Sequence, residues 1–568
     1  GVFSGHGCGA EGRRRRQVRF PSPAVGIDFW CQEPVSCDVF ARMDPTSSAC
    51  RCPCCAAAES LNPAVPPGVT RRRFLYGVGA ATVGGLAASA LDLGAAEVAG
   101  LPRRGPLPRK PLTVQPVLTY DVAQRREATS WRAWGGIQSD ADADKEKARI
   151  ERELAEMAKG ADFPLEIRPV QGVKALEPAA NLAKADHDVM MIFGAGGWVN
   201  LLEALTGAGK WNLMFLRHDP GPAYLWYEIA HPRFLRKTVD EYGQPGWDVQ
   251  DVVVDRYAEV LWRLRALAGL KNTLGKKMVC VGGASGWGEG GRTAPARTRE
   301  LWKMDLVDCD YKDLGPRIAD ALKQADRVKA CTAAADRYLG ARGVKLATAR
   351  EFVANAFVLN EVFRDVMDEA KTDAITVNQC MGTIMGMSKT TACMPLSLLN
   401  DDGYMAFCES DFVAIPSGVL LHNISNLPVF LHDPTFPHDN TVTLAHCTAP
   451  RKMDGRKLEP VEILTHYESD YGAAPKVAMK VGQACTNLVP DFASKKWVGF
   501  DGTITGNPFH AICRSQIDVK IHGDCDALLQ EMKGFHWMMS YGDYLRECGY
   551  ALGKVGVEFL NVSGGKVG

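Results

Sequence analysis

From about residue 114 to residue 378 the chain alternates between short apolar, β-branched runs and longer amphipathic stretches. This alternation is the tightest constraint on the fold. Strand, helix and strand in succession pack best as a right-handed β-α-β unit with parallel strands. Residues 114–120, 165–170, 189–193 and 212–216 read as strands. Residues 144–159, 176–184 and 252–268 read as helices, the last ending at Gly269. A second series begins with strand 277–282. It continues through strand 302–307 and helices around 316–326 and 348–368, and reaches strand 374–378. From about Asp401 the strands shorten and Gly and aromatic residues increase. The expected fold is α/β: two parallel-sheet α/β domains (113–270 and 271–400) followed by a C-terminal mixed or β-barrel domain (401–568).

The region before the first strand has a different character. Residues 1–70 carry Arg13-Arg14-Arg15-Arg16, many prolines and seven of the 18 cysteines, with no hydrophobic period. They read as a disordered leader, and Met43 is a candidate start. Cys52 and Cys55 have Cys-x-x-Cys spacing, but a structural zinc site needs a second spaced pair, and none follows closely. Thr70-Arg71-Arg72-Arg73-Phe74-Leu75 and the small apolar run 77–91 have the pattern of a twin-arginine export signal over 71–100. That run is shorter than the roughly 20 residues of a bilayer-spanning helix. No stable membrane span is therefore expected once the signal is removed. Export to the periplasm or another extracytoplasmic space follows. An uncleaved amphipathic helix, or a cytoplasmic protein, is the alternative. A Pro/Arg-rich linker, 101–112, joins this region to the α/β part.

Charge excludes some partners. Lys and Arg total 66, as do Asp and Glu, so no basic excess points to nucleic acid or an anionic membrane. The other eleven cysteines, Cys280 to Cys548, are odd in number and scattered. They read as reduced, buried thiols rather than a disulfide framework.

Chemistry concentrates in the last third. Eight of the 12 histidines lie there: His422, His432, His438, His446, His466, His510, His522 and His536. Glu409 ends a strand over 403–408 within Cys408-Glu409-Ser410-Asp411. Pro416 opens a helix, 417–424, that ends near Asn426. Asp433 ends the next strand, 428–431, beside His432. As a β-α-β unit these strands would be parallel neighbours, with Glu409 and Asp433 at one sheet edge. Residues 441–447 alternate, so Val442, Leu444 and His446 share a face. His536 sits in the aromatic segment Gly534-Phe535-His536-Trp537. Carboxylates plus imidazoles form a ligand set for a divalent metal such as Mn²⁺.

Further runs carry a resemblance: Asn378-Gln379-Cys380, Thr391-Ala392-Cys393-Met394-Pro395, Leu420-Leu421-His422, Pro428-Val429-Phe430 and Ala445-His446-Cys447. With the carboxylate segments above, they make the chain similar to the L-fucose/L-arabinose isomerase family over about 375–450. Residues 535–544 resemble it more weakly. Where the arabinose branch has Glu-Gly-Asp-Trp-Lys, this chain reads Glu409-Ser410-Asp411-Phe412-Val413. The resemblance implies two Rossmann-like domains, a C-terminal barrel, a Mn²⁺ site, a homo-oligomer and a small sugar substrate. It also implies aldose–ketose isomerisation through an ene-diol. By position, Glu409 and Asp433 match the catalytic carboxylates that also bind metal. His446 and His536 match histidine ligands of the arabinose and fucose types.

Two other functions compete. Gly286-Trp287-Gly288-Glu289-Gly290-Gly291 fits the Gly-x-Gly-x-x-Gly of a nicotinamide site, but Arg292-Thr293-Ala294-Pro295 is an awkward start for the helix that fingerprint needs. The bland alternative is a glycine-rich loop lining a cleft. An exported, non-catalytic sugar-binding protein on a degenerate isomerase fold is the second alternative.

Overall fold

The computed structural model describes residues 101, 105–132, 135–206, 209–224, 234–235 and 246–564. The leader, the twin-arginine segment and the N-terminal cysteines lie outside the described residues.

The first sheet contains β1 (Leu112–Thr119), β2 (Leu165–Ile167), β3 (Gln171–Val173), β4 (Val189–Gly194), β5 (Trp211–Leu216) and β6 (Val252–Val254). Its order is β2-β1-β4-β5-β6, with β3 also paired to β1, and every pairing is parallel. All six residues of β4 are buried, as expected of a central strand covered on both faces.

The helix expected over 252–268 is displaced. Three successive valines form β6, because β-branched side chains favour extended backbone. Asp255, at φ 59°, then turns the chain, and the helix runs Tyr257–Thr273. Gly269 lies inside this helix and does not cap it. A Cβ there would stand 2.4 Å from Ile424 Cγ1 and 3.1 Å from the Ile424 backbone. The glycine lets this helix press against the helix Ile415–Ser425, which is buried at every residue.

The second sheet contains β7 (Lys277–Val281), β8 (Asp305–Cys309), β10 (Ala374–Val377) and β11 (Met405–Cys408), in the order β11-β10-β7-β8 and wholly parallel. Between β8 and β10, β9 (Val344–Leu346) leaves this sheet. It forms a separate three-stranded one with β14 (Val461–His466) and β15 (Tyr471–Val477).

The remaining strands build a closed six-stranded antiparallel barrel. They are β12 (Phe430–Pro434), β13 (Thr441–His446), β16 (Ala484–Val489), β17 (Lys496–Gly506), β18 (Ser515–Ile521) and β19 (Trp537–Tyr541). The order β16-β19-β12-β13-β18-β17 closes through a β16–β17 pairing, and β20 (Glu558–Asn561) adds in parallel to β17. Closure leaves these six strands without free edges. Parallel sheets followed by a barrel thus match the expected α/β class.

One expectation about connectivity fails. β11 and β12 are not parallel neighbours in a β-α-β unit. β11 is an edge strand of the second parallel sheet, whereas β12 pairs antiparallel with β13 and β19 in the barrel. The helix between them, Ile415–Ser425, crosses from one sheet to the other. It starts with Pro416 in its first turn and stops at the left-handed Asn426, as its sequence signals require. A single core cluster includes Val279 and Ile375 of the second sheet together with Phe430, Val442 and Phe500 of the barrel. Among the described residues, no helix is long and apolar enough to cross a membrane.

Candidate metal centre between the parallel sheet and the barrel

The C-terminal ends of three parallel strands supply one side of the site. The loop after β7 reaches Ser285, which bridges to Asp411. The loop after β10 turns at Gln379, φ 51°. The loop after β11 holds Glu409 and Ser410 in the left-handed region, at φ 65° and 49°. Two successive non-glycine residues there are costly, and such strain collects at functional sites. The Ser410 N–H donates to Thr376 Oγ1 at 3.1 Å, and the Ser285 N–H donates to the Ser410 carbonyl at 3.2 Å. These bonds hold the turn and aim Glu409 at the barrel.

The barrel supplies the other side. Asp433 lies opposite Ala445, and His432 opposite Trp537. The antiparallel register therefore brings the end of β12, the end of β13 and the start of β19 to one rim. Asp433, His446 and His536 meet there. Although β11 and β12 belong to different sheets, Glu409 and Asp433 still converge on the same place.

Glu409 is the hub. Its Oε1 is 3.5 Å from His446 Nε2, and its Oε2 is 3.5 Å from His536 Nε2. Asp433 Oδ1 is 3.3 Å from His536 Nε2. The donor atoms of Glu409, His446 and His536 lie within 4.8 Å of one another. Two ligands each about 2.1 Å from a shared cation stand roughly 3.0–3.4 Å apart, so these separations suit a common ion.

The hydrogen bonding around the cluster points the same way. Asp433 Oδ1, His446 Nε2 and His536 Nε2 are buried and have no hydrogen-bond partner among the described residues. His536 Nδ1 is 2.8 Å from Asp411 Oδ2, and neither side chain has any exposed surface. A carboxylate only accepts, so Nδ1 donates to it, and in the neutral ring this leaves Nε2 with a lone pair. That lone pair faces the oxygens of Glu409 and Asp433. A cation between them turns this repulsion into coordination, and a carboxylate behind the histidine is a common support for such a ligand. His446 Nδ1 is held by Thr448 Oγ1 at 3.0 Å.

Electrostatics agree. Burial raises the pKa of Glu409, but His446 and His536 outweigh it and bring the value down to about 2. Burial disfavours a charged His446, yet Glu409 and Asp433 carry its pKa up to about 10. Burial raises that of Asp433, despite the two imidazoles. A cluster that holds a proton on a buried imidazole this firmly is one that favours a positive charge at its centre.

His432 takes no part in the ligand group. It is fully buried, packed against Phe430 and Trp537, and burial holds its pKa well below the usual histidine range. His422 lies in the buried Ile415–Ser425 helix and is not part of the ligand group.

A cleft of about 480 Å³ opens onto Glu409, lined also by Ser285, Trp287, Asn378, Gln379, Cys380 and Thr383. The glycine loop is part of its wall. The backs of Gly286 and Gly291 touch: a Cβ on Gly286 would stand 2.3 Å from the Gly291 carbonyl oxygen. The helix that follows, Gly288–Gly291, is a single turn. This spacing serves a tight loop that presents Trp287, stacked on Phe535 at 4.7 Å and 9°. A larger cavity, about 790 Å³, lies beside Lys276, Asp373 and Met405, at the N-terminal ends of the same strands. Sites in parallel sheets form at the opposite, C-terminal edge, where the carboxylates and imidazoles are.

Asp411, Thr448 and Trp287 were not singled out as site residues from the sequence. Asp411 had a local signal, two residues beyond Glu409 in a Glu-x-Asp strand end. Trp287 was hidden inside an apparent nucleotide fingerprint. No protein-family model and no curated protein matches the chain.

Proposed function

We propose that the chain is a metal-dependent ketol isomerase that interconverts a small aldose and its ketose through an ene-diol. One observation carries this reading. Two carboxylates and two imidazole nitrogens converge beside a cleft, and three of the donor atoms are buried without hydrogen-bond partners among the described residues. Glu409, Asp433, His446 and His536 are the residues that would hold the ion. Their mixed oxygen and nitrogen donors suit Mn²⁺ or a similar divalent metal. When bound, such an ion supplies Lewis-acid polarisation of neighbouring hydroxyl and carbonyl oxygens.

The side chains do the rest. The cleft residues named above are neutral apart from Glu409, and their amides and hydroxyls suit the hydroxyls of an uncharged sugar. Glu409 faces that cleft, so it is the carboxylate in reach of a sugar carbon. It takes the proton from the carbon beside the carbonyl and returns it to the adjacent one. Asp433, on the barrel side, serves the hydroxyl proton that passes between the two oxygens. Asp411 keeps His536 in one tautomer and orientation throughout. Export by the twin-arginine route and a homo-oligomeric working state belong to the same reading.

The test is metal content followed by turnover. Purified protein is expected to carry or take up one equivalent of Mn²⁺, and Glu409→Gln and Asp433→Asn are expected to lose it. An aldose panel is then screened for ketose. A folded protein unable to take up Mn²⁺ would remove this mechanism. Metal binding without turnover on any sugar would leave a sugar-binding protein on the same fold.

A further inference from the structure

Two cysteines flank the cleft in a way that the isomerase reading does not use. Cys380 lines the cleft and opens the helical turn Cys380–Ile384, which follows the left-handed Gln379. Cys408 is fully buried, ends β11 and is joined directly to Glu409. Their sulfurs are 3.3 Å apart, between the turn that follows β10 and the end of its neighbour β11. Both are free thiols. We propose that Cys380 and Cys408 form a reversible disulfide, made by a small hydroperoxide entering the cleft, that clamps the cleft-lining turn to the strand carrying Glu409.

The chemistry closes in two steps. Cys380 Sγ attacks the terminal peroxide oxygen, the O–O bond breaks, and the products are Cys380 sulfenic acid and the corresponding alcohol, which is water when the oxidant is hydrogen peroxide. Cys408 Sγ then attacks the sulfenic sulfur, the S–O bond breaks, and water leaves with the remaining thiol proton. Two thiols are oxidised by two electrons in all, and one peroxide is reduced. Order of attack follows access: both thiols are buried, but Cys380 keeps 8% of its surface exposed and lines the cleft, whereas Cys408 has none and does not.

Bond formation needs the sulfurs to approach by about 1 Å. The turn after Gln379 and the Glu409 corner are the ends of two paired strands, so the bond ties one cleft wall to the other. Metal–ligand distances in real sites stay within about 0.2 Å of their ordinary values, so a shift of Glu409 by more than that is felt at the ion. Oxidation is therefore expected to weaken divalent-ion binding at least tenfold. This last arm rests on the proposed metal reading; the cross-link itself does not. A second thiol pair, Cys393 and Cys447 at 3.2 Å, is also buried but does not line the cleft, and it serves as the internal control.

The experiment treats the full chain with hydrogen peroxide, then maps peptides and measures hydrogen exchange and Mn²⁺ affinity before and after reduction with dithiothreitol. The expected result is a Cys380–Cys408 peptide two hydrogens lighter, slower exchange over residues 379–384, and reversal of both by the thiol. Cys380→Ser and Cys408→Ser should each abolish them, and Cys393→Ser should not. No cross-link, oxidation of Cys380 alone to sulfinic acid, or a cross-link with unchanged exchange would overturn the proposal. A reduced protein that binds no Mn²⁺ yet shows the cross-link and slowed exchange would support the clamp while removing the metal reading.

Discussion

Asp411, fully buried, commits both carboxylate oxygens. Oδ2 holds His536, while Oδ1 accepts from the backbone N–H of Val413 at 3.1 Å and of Trp287 at 3.3 Å. Replacement by Asn keeps the shape but lets the amide donate, so His536 is no longer confined to the tautomer that frees Nε2. We expect Asp411→Asn to lower Mn²⁺ affinity about 10–100-fold with the fold retained. Chelator competition would read this, and an unchanged affinity would refute the positioning role. His422 makes a prediction of another kind. Burial, with Arg109 and Lys276 nearby, pushes its pKa down to about 3. As pH falls below about 6.5, the unfolded chain takes a proton at this position that the folded chain refuses. Stability from this residue is thus complete above pH 6.5 and is lost progressively toward pH 3. Relative to His422→Gln, the wild type should lose roughly 1.4 kcal/mol per pH unit between pH 6 and 4. Urea titrations of both proteins across that range measure it, and a pH-independent difference would count against a neutral buried imidazole.

At the scale of helices and strands, Gly269 sets how closely two buried helices approach. An Ala there gains about 1 kcal/mol of helix propensity. It also puts a methyl group against Ile424, including its backbone N and Cα at 3.1 Å, which no rotamer change relieves. Overpacking of this kind costs about 1–3 kcal/mol, so Gly269→Ala should be destabilising overall despite the better helix former. A lower urea midpoint is expected; a raised one would mean that the helices can separate freely. The sequence carried much of this level, because strand–helix alternation and the Pro416 and Asn426 signals are local. It missed β6, where three valines were absorbed into a helical period. It also misassigned the partners of β11 and β12. Apolar strand, helix, apolar strand looks the same locally whether the second strand returns to the first sheet or enters another. The four ligand candidates were visible because Glu, Asp and His declare their chemistry by type. Asp411 was not, since its partner His536 lies 125 residues away and only the closed barrel brings it there.

For the whole molecule, the consequence is that no single sheet owns the site. Glu409 comes from the second parallel sheet, and Asp433, His446 and His536 come from the barrel. A cation held by all four is also a cross-link between these two parts, made only when they are docked. Binding to the folded state alone stabilises by mass action, about 2.7 kcal/mol when the free ion is at 100 times its Kd. Mn²⁺ should therefore raise the melting temperature by several degrees over the chelator-treated protein. Glu409→Gln should erase the shift, because it removes the only one of the four donors supplied by the parallel sheet. His446→Ala, which leaves a carboxylate on each side, should reduce the shift without erasing it. The ordering of those two variants is the informative part. If Glu409→Gln kept most of the shift, the ion would be held by the barrel rim alone. The left-handed backbone at Glu409 and Ser410 would then need another explanation. If it lost the shift while the chelator-treated forms melted alike, the bridging carboxylate would be established as the element that makes two packed sheets one metal centre.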